Sequence, residues 1–96
     1  MLAAGASSAS AKPARCFTTD DGHFPCNFKG LDRQGSFEVA APGFPTYTLW
    51  VEQPGVASGF VNFGDRNVAL PGIYRREKAD RACWSNSGTQ TRICVW

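Results

Sequence analysis

One histidine, four cysteines and ten lysines and arginines hold most of the reactive chemistry of this 96-residue chain, and their spacing narrows what they can do. Cleavage of an RNA backbone needs one group to take the 2'-hydroxyl proton and another to protonate the leaving group. His23, Glu38 and one of Arg75, Arg76 or Arg92 are the combination available for a ribonuclease-type reaction, and nothing in the local sequence places them together. His23 directly follows the turn residues Asp20-Asp21-Gly22, the setting of a solvated surface histidine rather than a general base. Gly-x-Ser-x-Gly, His-Glu-x-x-His and glycine-rich phosphate loops are absent. Thr18-Thr19-Asp20-Asp21 and Gly64-Asp65-Arg66-Asn67 offer oxygen ligands without the spacing of an EF-hand, and tight turns account for both. The expectation is a chain without catalytic residues, metal or cofactor.

Cys16, Cys26, Cys83 and Cys94 lack the C-x-x-C spacing of a zinc site or redox motif. An even number in so short a chain points to disulfides, which persist in oxidising compartments, so the expected location is secreted or periplasmic. Met1 to Ala11 read MLAAGASSASA and end in Ala9-Ser10-Ala11, the small-x-small pattern of a signal-peptidase site. Residues 1–14 are therefore expected to be a signal-peptide remnant or a disordered leader, with a single disulfide-stabilised domain over 15–96.

The densest group of binding-type residues lies near the C-terminus. Arg75, Arg76 and Arg92 share a short stretch with Trp84 and Trp96, and arginine beside aromatic rings is the composition of surfaces that grip anionic polymers or stack on sugars. Glu77 and Asp80 dilute the cluster, and alternation along a strand turns at least one Trp into the core. Trp50, on a separate strand, is a rival surface for a carbohydrate or a protein edge. The formal charge of +2 is too small to imply nucleic acid or membrane. No run approaches the roughly 18 apolar residues of a membrane span.

The elements that must position these residues are strands. Turn pairs such as Lys29-Gly30, Pro42-Gly43, Pro54-Gly55, Pro71-Gly72 and Ser87-Gly88 recur too often to leave room for a helix. Between them stand β-branched and aromatic runs such as Tyr47-Thr48-Leu49-Trp50-Val51. The fold class is all-β: a small antiparallel β-sandwich or barrel of about seven to nine short strands.

Three hairpins have definite expected registers. A three-residue loop Asp20-Asp21-Gly22 sets Cys16 opposite Cys26, and a four-residue loop Ser87-Gly88-Thr89-Gln90 sets Cys83 opposite Cys94. The disulfides are therefore expected to be local, Cys16–Cys26 and Cys83–Cys94. A turn at Pro54-Gly55 sets Leu49 opposite Phe60 and Trp50 over Gly59, an aromatic covering a strand position that lacks a side chain. Because Pro-Gly suits a type II turn, that loop is expected to exceed two residues. The core face is expected to hold Phe37, Val39, Leu49, Val51, Phe60, Val68, Leu70, Ile73 and Val95.

The functional class that fits is a small secreted, non-enzymatic binding or interaction module, with an unknown protein or an anionic polysaccharide as partner. A secreted toxin, antimicrobial or enzyme inhibitor is the next alternative, and a small ribonuclease-like hydrolase the third. Tight, disulfide-closed hairpins offer preorganised loops, which lowers the entropy lost on binding.

Overall fold

The computed structural model describes residues 11–96. The leader expected over 1–14 lies, for residues 1–10, outside the described residues, and strand structure begins at Lys12. Nine strands follow in order: β1 (Lys12–Thr18), β2 (Gly22–Gly30), β3 (Phe37–Ala40), β4 (Thr46–Gln53), β5 (Val56–Asn62), β6 (Asn67–Ala69), β7 (Tyr74–Arg76), β8 (Cys83–Asn86) and β9 (Thr91–Val95). Among the described residues there is no helix and hence none long and apolar enough to cross a membrane.

Each strand pairs antiparallel with its neighbours, β9 returns to β1, and β4 pairs with β5, so eight strands close into a barrel. Closure leaves no long edge to template association. Antiparallel succession gathers the β1–β2, β3–β4, β5–β6 and β8–β9 connections at one end, here called the mouth, and the β2–β3, β4–β5 and β7–β8 turns at the other, the base.

The strand β6 is one half of an interrupted edge. Both β6 and β7 run antiparallel to β5, β6 beside its upper half (Phe60↔Ala69) and β7 beside its lower half (Ala57↔Tyr74). Between them Pro71 to Ile73 swing out of the ladder, after Leu70 N–H has donated to the Gly59 carbonyl at 2.8 Å and where Pro71 has no N–H to contribute. The excursion is tied down by Asn86, whose Nδ2 donates to the Pro71 carbonyl at 2.7 Å while its Oδ1 accepts from the Gly88 N–H at 3.0 Å. Gly72 at φ 79° allows the bend, and a Cβ there would meet Asn86 Oδ1 at 2.5 Å.

Both disulfides form as expected, by two different geometries. In β8–β9, Cys83 stands directly opposite Cys94 across the four-residue loop. In β1–β2 the register slips by two: Cys16 faces Phe24 and Cys26 faces Ala14, so the bridge is diagonal, with a Cα separation of 5.8 Å. The loop comprises Thr19-Asp20-Asp21 rather than Asp20-Asp21-Gly22, because Thr18 Oγ1 accepts from the Asp21 N–H at 3.0 Å and closes the turn one residue earlier. A shift of two preserves the face, so the bond survives. The Cys16–Cys26 bridge lies inside the barrel, while Cys83 and Cys94 alternate outward from inward-facing Trp84 and Ile93.

The central hairpin corrects the expectation more deeply. Gln53 pairs with Val56 across a two-residue Pro54-Gly55 turn, and a bulge between Val51 and Gln53 then moves every later pair by one, so Leu49 faces Gly59 and Trp50 faces Ser58. The bulge adds twist that reconciles a type II turn with the ladder, which is why the loop stays short. A slip of one reverses the inner face of β5. Ala57, Gly59 and Val61 therefore point inward and Phe60 does not. Gly59 is still covered by an aromatic, but by Tyr74: a Cβ at Gly59 would lie 2.5 Å from its Cε1.

Of the expected core, Phe37, Val39 and Leu49 are buried, and Val51, Leu70 and Val95 pack against them half-buried. Val68 and Ile73 are exposed, Ile73 because it belongs to the excursion beside β6. Phe24, Tyr47, Ala57, Val61, Tyr74, Trp84 and Ile93 complete the interior.

Candidate functional site

The six residues expected to bind do not form one surface. Trp84 is 2% exposed and points into the barrel, with the Arg76 guanidinium 5.0 Å from its ring centroid. Arg92, on the outer face, donates from Nε and Nη2 to the two Glu77 oxygens at 2.8 and 2.9 Å. This is the single ion pair among the described residues. Its hydrogen bonds, with one from Ser85 Oγ, hold the Glu77 carboxyl down at about 2. Arg75 faces outward on β7 beside Ser85.

Trp96 is half exposed and belongs to a separate outer stack. Its ring lies 5.8 Å from His23, which meets Phe17 at 4.9 Å, and Arg15 sits 5.6 Å from the indole centroid. The Trp96 Nε1–H donates to Asp80 Oδ2 at 3.0 Å; that bond and the Ala82 N–H, the larger influence, hold the Asp80 carboxyl below its usual range. Trp50 is exposed on β4, four strands from β9 whichever way round the barrel one counts, and so on the opposite side.

The catalytic combination is likewise dispersed. Glu38 pairs with Lys29, six residues along β2 from His23, which separates them by about 20 Å at strand rise. Among the described residues no three His, Cys, Asp or Glu side chains cluster as metal ligands would.

The structure instead opens a pocket that the sequence reading did not single out. At the mouth, the interior is not filled to the rim, leaving a cavity of about 340 Å³. Its walls are Tyr47, Val61, Leu70, Tyr74 and Ile93, with Phe63 at the lip. Strand alternation explains the wall: Tyr47 is the first inward position of β4, Val61 the last of β5, and Ile93 is inward on β9 opposite Trp84. Tyr74 reaches up from β7 over bare Gly59. Phe63 is 71% exposed, the largest exposure of any big apolar side chain described.

Two polar groups interrupt this apolar wall. On one side Asp21 Oδ2 accepts from Thr18 Oγ1 at 2.8 Å and from the Tyr47 hydroxyl at 2.9 Å. Burial, and then the neighbouring Asp21 carboxylate, push the Tyr47 phenol well above its ordinary range, so it remains a neutral donor. On the other side the Tyr74 hydroxyl lies 3.4 Å from Thr91 Oγ1, which is 2.6 Å from Thr89 Oγ1. Oriented hydroxyls and a carboxylate around an apolar floor are the make-up of small-molecule sites in general.

The signal for this pocket was present only as scattered residues. Thr18 to Asp21 read as a turn, and Tyr47 and Val61, partners in the β4–β5 hairpin, meet that turn and Ile93 only once the barrel closes. No family model, curated protein or solved structure matches the chain.

Proposed function

We propose that this chain is an exported, non-enzymatic binding module that holds a small, mainly apolar ligand in the mouth of its barrel. The observation that carries the reading is the pocket of about 340 Å³ with an apolar floor and two hydrogen-bonding sides. Small-molecule sites are typically clefts of roughly 300–1,000 Å³, and an eight-stranded barrel has room for one small ligand. Two disulfides in a small domain support an oxidising compartment and hence export. An anionic polysaccharide on the arginine–tryptophan surface is less well supported, since Arg92 is held by Glu77, Arg76 packs on Trp84, and Trp50 lies on the far side.

Titrating isotope-labelled protein with the neutral arylamine N-phenyl-1-naphthylamine tests the proposal. Backbone shifts confined to Tyr47, Val61, Leu70, Tyr74 and Ile93, with probe fluorescence rising in parallel, are expected. Shifts centred on Trp50, Trp96 or Arg75, or none anywhere, would overturn it.

A further inference from the structure

Apolar walls alone do not choose a ligand; the charge at the lip does. Asp21 spends one carboxylate oxygen, Oδ2, on Thr18 and Tyr47, while Oδ1 accepts no hydrogen bond from the described residues. No cationic side chain lies within ion-pair distance of it, for the one pair among the described residues is Arg92 with Glu77. Arg92 also lines the pocket, yet both its charge and its donors are directed to Glu77 on the outer face. Asp20 adjoins Asp21 on the same lip, so this side of the mouth is acidic. Two of the walls are tyrosine rings, with the exposed Phe63 ring above them. Aromatic faces attract cations, and an unpaired carboxylate beside an apolar cavity rejects an anion.

We propose that the mouth takes a small organic ammonium, its hydrocarbon body lying between Tyr47, Val61, Leu70 and Tyr74 and its cationic nitrogen donating to Asp21 Oδ1. The inference rests on the reading of the mouth as the ligand site and adds the chemical class. Tyr47 and Thr18 act here as positioning residues, since their hydroxyls hold one oxygen of a carboxylate that lines the cavity and leave the other without a donor among the described residues. The Phe63 ring, left in water by the protein alone, is the surface that the bound hydrocarbon would cover.

Three probes of one shape separate the possibilities: 2-phenylethylammonium, 2-phenylethanol and phenylacetate, titrated at low and at moderate salt by calorimetry and by amide shifts. The ammonium should bind about tenfold or more tighter than the alcohol, the carboxylate should not bind, and the ammonium's advantage should shrink as salt rises. Asp21→Asn should bring the ammonium down to the alcohol, and Asp20→Asn should lower it less. The comparison on the unaltered protein stands even if Asp21→Asn disturbs the turn. Equal binding of ammonium and alcohol at the mouth would overturn the ammonium assignment and leave the pocket reading intact. Binding of the naphthylamine but of none of the three would do the same, whereas failure of all four probes would overturn both.

Discussion

At the base and along the outer wall of the barrel nearly every conspicuous side chain has a partner: Arg76 lies over Trp84, Arg92 grips Glu77, and Trp96 donates to Asp80. At the mouth, side chains of modest individual reactivity, four threonines, two tyrosines and two aspartates among them, surround space that the protein leaves open. The difference teaches that a cluster of binding-type residues in sequence is often consumed by the fold. Arginine and tryptophan are large and strongly interacting, so where the chain brings them together they pair with what is nearest. Threonine and tyrosine hydroxyls satisfy one another along a rim and leave an apolar floor exposed between them. Function is better sought where interactions remain incomplete.

The largest effect that would sharpen this contrast is at the base. Trp84→Ala removes the side chain that fills the lower interior and should destabilise the protein by about 3–5 kcal/mol, read from urea denaturation. A loss below about 1 kcal/mol would show that this end is not packed around Trp84.

A smaller effect is expected beneath the mouth. Gly59→Ala places a methyl 2.5 Å from the Tyr74 ring and should cost about 1–3 kcal/mol while weakening binding of the naphthylamine probe. Combining it with Tyr74→Leu should recover part of that loss, a coupling that independent sites would not show.

The smallest effect belongs to the Glu77–Arg92 pair, worth below about 1 kcal/mol for partly exposed partners. Because the Glu77 carboxyl is held at about 2 against an ordinary 4.5, its stabilisation is complete above about pH 5 and fades as pH falls towards 2. Glu77→Gln should therefore lower the melting temperature near neutrality and leave it unchanged at pH 2. A difference that persisted at pH 2 would mean the charge is not what stabilises this face.

The three hairpins show how far the residues alone lead. In β8–β9 the turn is local and Asn86 accepts from the Gly88 and Thr89 amides within it, so counting outward from the loop finds Cys83 opposite Cys94. In β1–β2 a threonine cap moved the turn by one residue and the register by two, which left every side chain on its expected face. In β4–β5 a one-residue bulge, invisible in a pattern of alternating apolar residues, reversed the inner face of β5 and exchanged Trp50 for Tyr74 above Gly59. The parity of a strand is only as secure as the absence of bulges along it.

Strand content, the absence of room for helices and the local pairing of the cysteines follow from turn residues, β-branched runs and loop lengths, all properties of neighbouring positions. Closure of the barrel, the interrupted edge at Pro71 to Ile73 and the pocket that brings Tyr47 and Tyr74 to the Thr18–Asp21 turn and Ile93 do not, because they depend on contacts between segments far apart in the chain. Short-range sterics and hydrogen bonding act on a few adjacent residues and can be read from them. A cavity is what remains when eight strands have packed as far as their side chains allow, and no single segment contains it.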